Sequence, residues 1–165
     1  MLLKKNFINV AEMDWEENEH GEKYESKRKR LAANTDAEKL GASLYEVPPG
    51  KTAWPRHYHL VNEEALFILS GEGTLEYGRN SVTVSEGDYV TLKAGERCAH
   101  QLHNDGDEPL RYLCVSTMEE PDVVMYPDSE KVGVFAGSAP GGDKEKRTYH
   151  AYHRTEDAVD YWDGE

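Results

Sequence analysis

The chain has 165 residues, of which 38% are hydrophobic and 31% charged, with a formal charge of −13 from 32 acidic against 19 basic residues. That length suits one domain with appended arms. The negative field repels phosphate backbones and argues against a nucleic-acid partner, and no apolar run is long enough to span a bilayer.

Residues 1–40 read as a charged N-terminal arm with Phe7-Ile8-Asn9-Val10 and Trp15 as apolar anchors and room for one edge strand. Met1-Leu2-Leu3-Lys4-Lys5 gives way at once to Asn6, so no signal-peptide core is expected. The run Lys27-Arg28-Lys29-Arg30 adjoins an acidic stretch from Glu12 to Glu25. It therefore reads as a charge-matched or solvated face and not as a nucleic-acid patch.

Residues 41–118 form the expected core. Short apolar runs are cut at even intervals by turn residues: Ala42–Val47, Thr52–His59, Glu64–Ser70, Thr74–Tyr77, Ser81–Val84, Tyr89–Leu92, His100–His103 and Leu110–Ser116. Short strands at this spacing predict an all-β antiparallel sandwich or barrel. The Glu64–Ser70 run is apolar at both parities, with Leu66 and Ile68 on one face and Ala65, Phe67 and Leu69 on the other. A strand buried on both sides needs a cover, supplied by the arm, the tail or a second subunit, and a homodimer is expected. Residues 119–165 begin with an extra edge strand within Pro121–Ser129, continue through a flexible Ser138–Asp143 connection and end in a tail bearing Tyr149, Tyr152, Tyr161 and Trp162. That aromatic tail is expected to dock on the barrel or on a partner chain. Two cysteines, Cys98 and Cys114, make no disulfide framework; a reducing, cytoplasmic setting suits them.

His57-Tyr58-His59 is the strongest local signal. Side chains two apart on a strand share a face, so both imidazoles point the same way. Glu63 and Glu64 follow closely, at the start of a strand that can fold back on the histidines. His100 opens a later strand and can face them across a barrel lumen. Three imidazoles and one carboxylate suit a divalent transition metal: iron, zinc, nickel, manganese or copper. Such a set leaves one or two coordination positions open for water or substrate.

At these residues the chain resembles the cupin superfamily. The first motif of that family reads here as Gly50, His57-Tyr58-His59, Glu64 and Gly71, and the second as Gly87, Gly95, His100 and Asn104. The resemblance covers roughly Ala42 to Ser116 and implies a double-stranded β-helix, or jelly-roll, barrel. It also implies His57, His59, Glu64 and His100 as metal ligands, as in small single-domain bacterial cupins of uncharacterised function. Lys93 stands where the family's second motif has a proline, and two extra residues separate Gly95 from His100, so the ordinary spacing would put Cys98 at the ligand position. The distance from His100 to Asn104 matches the family and favours His100. Glu64 is preferred to Glu63 because its distance to Gly71 fits the motif and it shares parity with Leu66 and Ile68.

Tyr45, Trp54, Cys98 and Tyr112 are candidates to line the pocket, with the inward parity of Arg111 against Tyr112 left open. His103 fails the parity test with His100, and His20, His150 and His153 read as surface residues. Two functions follow. One is a metal-dependent enzyme acting on a small organic metabolite; the other is a non-catalytic small-ligand binding or regulatory protein. Fold alone does not choose between them.

Overall fold

A computed structural model describes residues 6–165. Among these residues the chain forms strands and short 3-10 turns but no α-helix, as the short, evenly cut apolar runs predict. In chain order the strands are β1 (Glu16–His20), β2 (Tyr24–Arg30), β3 (Leu40–Val47), β4 (Tyr58–His59), β5 (Glu64–Ser70), β6 (Glu72–Tyr77) and β7 (Asn80–Ser85). They continue with β8 (Tyr89–Leu92), β9 (His100–His103), β10 (Leu110–Thr117), β11 (Asp122–Tyr126), β12 (Lys131–Ala136) and β13 (Tyr149–Arg154).

One wall of the barrel is a six-stranded antiparallel sheet in the order β1-β2-β3-β10-β5-β8. The other combines β13-β12-β11-β4 with β7-β6-β9. His57 and His100 join these two pieces through reciprocal backbone hydrogen bonds of 3.1 and 2.8 Å. Between β5 and β6 the chain crosses from one wall to the other at Gly71. Its φ of +83° belongs to the left-handed region, and a Cβ there would lie 2.7 Å from the Pro109 carbonyl oxygen. Only glycine meets both demands without strain.

The apolar alternation of the middle region faces inward as the pleat dictates. Val47, Ile68, Leu75, Val84 and Leu110 are buried to 3% exposure or less. They fill one part of the barrel and do not line the cavity that occupies the rest.

Several sequence expectations change. The Thr52–His59 run is not one strand: Thr52 makes isolated bridges, and only Tyr58 and His59 form a strand. The segment 1–40 contributes a two-stranded hairpin that extends the large sheet, with β2 paired along β3. Its basic run is charge-matched within the hairpin, Lys27 to Glu17 and both Arg28 and Arg30 to Glu16. Lys29 is buried, donates to the Val10 carbonyl at 2.7 Å and sits 4.6 Å from the Trp15 ring centre. β11 is no edge strand but lies between β4 and β12. Part of the tail docks as β13, whereas Tyr161 and Trp162 lie exposed on the surface. Among the described residues no helix is long and apolar enough to cross a membrane.

Candidate metal centre

The cavity, about 1130 Å³, is lined by side chains of both walls. His57, His59 and Glu64 each offer a donor atom, and these atoms lie within 4.8 Å of one another. His100 completes the group: its Nε2 is 3.4 Å from Glu64 Oε2, the same oxygen that lies 3.7 Å from His59 Nε2. The His57 ring centre is 5.4 Å from that of His59 and 4.6 Å from that of His100. His57 reaches the site from the backbone bridge, His59 from β4, Glu64 from the first position of β5 and His100 from the first position of β9.

The second nitrogen of each ring decides what the first can do. His57 Nδ1 lies 2.8 Å from the Pro55 carbonyl oxygen and His100 Nδ1 lies 2.9 Å from that of Cys98. A carbonyl only accepts, so in both rings Nδ1–H donates. His59 Nδ1–H donates to Asp122 Oδ2 at 2.6 Å. With every Nδ1 proton engaged, the neutral form of each ring keeps its Nε2 lone pair free, and the Nε2 atoms of His59 and His100 lie beside Glu64 Oε2. This is the tautomer and orientation a metal site requires.

Asp122, fully buried on β11, is a site residue that the sequence reading missed. It also accepts from the Val61 amide at 3.3 Å. The sequence signal for it is an acidic residue at the head of an apolar run. Glu63, the carboxylate not preferred as a ligand, is exposed.

Tyr45, Trp54 and Tyr112 line the cavity. Tyr45 stacks on Tyr112 at 5.0 Å and meets Trp54 edge-on at 6.0 Å. The inward parity of β10 is therefore Tyr112 and Cys114, while Arg111 turns out to Glu46. Cys98 is a correction: it is absent from the cavity lining, and its Sγ accepts from the Tyr77 hydroxyl at 3.1 Å. The turn of Glu96–Cys98 carries that thiol away from the site and leaves only its carbonyl to orient His100. Cys114 takes the inward place, with Sγ 3.8 Å from Glu64 Oε1. His103 points elsewhere, to the Thr52 hydroxyl at 2.8 Å.

Residues 43–116 match the family model described as Cupin domain. The matched stretch holds the four converging donors and most of the barrel strands. The chain carries a cupin domain.

Solved structures extend the likeness beyond the matched core. A provisionally assigned sugar phosphate isomerase from Acidithiobacillus ferrooxidans is 25% identical with a TM-score of 0.79, over 95% of this chain and 97% of that one. A sugar phosphate isomerase of the cupin superfamily from Silicibacter pomeroyi is 19% identical with a TM-score of 0.76, over 92% and 94%. A predicted oxalate decarboxylase from Thermotoga maritima is 23% identical with a TM-score of 0.61, over 67% of this chain and 97% of that one. These last two share the fold. No curated protein matches the sequence.

Electrostatics in the cupin site follow from burial and from the donor set itself. Burial, reinforced by the neighbouring His100, lowers the His57 pKa to about 3, so this ring stays neutral. Burial alone would raise Glu64, but the hydrogen bond that the His100 ring can donate when protonated, with the positive charge that the surrounding imidazoles can carry, outweighs it and brings its pKa to about 2. Burial opposes a proton on His59, yet the hydrogen bond to Asp122 and the Glu64 charge raise that ring above its ordinary value. Asp122 is lowered, because its bond from His59 overcomes burial. Tyr45 is pushed up to about 12, chiefly by burial, and remains a neutral phenol.

Proposed function

We propose that this protein is a metal-dependent enzyme that acts on a small organic metabolite inside the cupin cavity. His57, His59, Glu64 and His100 would hold one divalent transition metal. The observation that carries this reading is the fixed tautomer of all three imidazoles, each with Nδ1–H spent on an oxygen and Nε2 left for an ion. Four protein donors of this kind leave positions open, and a bound ion would supply Lewis-acid polarisation of a substrate carbonyl.

The protein's own groups do the rest. Tyr45 and Tyr112 stay protonated and offer hydroxyl donors to a polar substrate. The stacked aromatic wall they build with Trp54 excludes water from one flank. Among the reactions that run on a polarised carbonyl, isomerisation is the class we favour, supported by likeness to the Acidithiobacillus protein along nearly the whole of both chains.

Two further assignments belong to this reading. A homodimer would cover the apolar outer face of β5, where Phe67 and Leu69 are 40% and 41% exposed. Two free thiols, Cys98 and Cys114, suit the reducing cytoplasm.

Elemental analysis of the purified protein tests the centre. About one transition-metal ion per chain is expected, with loss of that metal in His100→Ala. Unchanged metal content in the variant would remove His100 from the ligand set. Turnover of sugar phosphates or related metabolites by metal-loaded protein, absent in His57→Ala, supports an enzyme; tight binding without turnover would make the protein a ligand-binding cupin.

A further inference from the structure

The cationic side chains that border the cavity are not equivalent. Arg28 and Arg30 line it, but both are committed to Glu16, at 3.3 and 2.9 Å. Arg147 also lines it, and no carboxylate lies within 4.0 Å of its guanidinium among the described residues. Its Nε is buried with no hydrogen-bond partner. Among the described residues, the hydrogen bond of the guanidinium is a long one of 3.4 Å from Nη2 to the Ala139 carbonyl.

The guanidinium sits over the Phe135 ring, its Cζ 5.0 Å from the centroid. Phe135 thus occupies one face of the planar group and leaves its N–H edges to bind something else. A half-buried, unpaired cation with unspent donors is costly, and an oxyanion is the ligand that relieves it. Lys144 and Lys146 line the cavity close by in sequence and have no ion-pair partner among the described residues. Two acidic residues share the segment: Asp143, which accepts from the Glu145 amide at 3.0 Å, and Glu145 itself. In a chain of net charge −13, the positive charges of Lys144, Lys146 and Arg147 outnumber these two.

The cluster shares its cavity with the metal centre. A row of rings connects them: His57 to Tyr126 at 6.0 Å, Tyr126 to Tyr152 at 5.9 Å, and Tyr152 to Phe135 at 5.9 Å. We propose that Arg147, aided by Lys144 and Lys146, binds a terminal phosphate of the substrate, whose other end lies at the metal centre. This assignment rests on the cavity being the substrate site. A doubly charged oxyanion fits three cations and the two-pronged guanidinium better than a single carboxylate does.

Calorimetric titration of the full-length protein with inorganic phosphate tests the assignment, once with metal and once after chelation. Phosphate should bind both forms, acetate about tenfold more weakly or not at all. Arg147→Gln should weaken phosphate about tenfold or more, Arg147→Lys should restore part of the loss, and metal content should be unchanged in both. Equal phosphate affinity in wild type and Arg147→Gln overturns the proposal, as does wild-type protein that binds no phosphate or binds acetate equally well. Arg147→Lys guards against loss of fold in the glutamine variant. If His100→Ala keeps its metal while Arg147→Gln still loses phosphate, the ligand assignment has failed and the phosphate site stands.

Discussion

At the scale of single residues, the centre is a balance between protons and an ion for the same lone pairs. His57 is already neutral at any moderate pH, so the ring that decides is His59, whose pKa is raised. The charge of its protonated form, held between Asp122 and Glu64, stabilises the metal-free fold. That contribution is fully present below the ordinary imidazole value of 6.5 and is lost as pH rises through the raised native value. An ion needs the opposite, since a protonated ring has no lone pair to give. Metal affinity should therefore fall as pH is lowered through this range, by about tenfold per unit for each competing proton. The rise in Tm on adding metal should accordingly be larger at about pH 8 than at about pH 6. Thermal melts of chelated and metal-loaded protein across that span check this; a metal-induced shift independent of pH would mean that His59 is not a ligand.

At the scale of elements, the site depends on a strand outside the matched core. β11 pairs with β4 at Val124 and His59, and this pairing brings Asp122 beneath the His59 ring. Asp122→Asn keeps an acceptor but removes the charge that makes the ring a stronger donor to metal. An affinity loss of about 10–100-fold is expected, measured by competition with a chelator of known strength, with the fold retained in far-UV circular dichroism. The strands of the core were legible in the sequence because glycine and proline cut apolar runs of the right length, and Gly71 marks such a boundary. The β1–β2 hairpin was not. It carries almost no apolar alternation, and its register is held by ion pairs across the strands, Glu17 with Lys27 and Glu16 with Arg28. Asp122 was hidden for a similar reason: its partner lies 63 residues away, and nothing local distinguishes it from a surface carboxylate. The ligand histidines were legible because their chemistry is in the residue types, whereas Cys98 misled because sequence spacing ignores how a turn re-aims a side chain.

At the scale of the whole molecule, the large sheet has a second apolar face that the barrel does not use. Register places Leu44 on β3 opposite Leu113 on β10, Leu113 opposite Phe67 on β5, and Phe67 opposite Tyr89 on β8. Since Tyr45, Tyr112 and Leu66 are buried on the inner side, alternation turns this row outward across four adjacent strands. At the β2 end Lys29 is opposite Leu44, and Trp15 covers it; toward β8 the row opens, with Tyr89 68% exposed. A row of this length is a surface for association, and a second copy meeting it about a two-fold axis would bury each row against its counterpart. Each copy also carries a charge of −13, so association would proceed against long-range repulsion that salt screens. Sedimentation equilibrium should therefore show a dimer that tightens as salt rises from about 0.01 M to 0.15 M. Phe67→Glu should shift the population to monomer by placing a desolvated charge at the centre of the contact. If dissociation instead strengthened with salt, polar pairs would hold the copies together, and the apolar row would not be the interface.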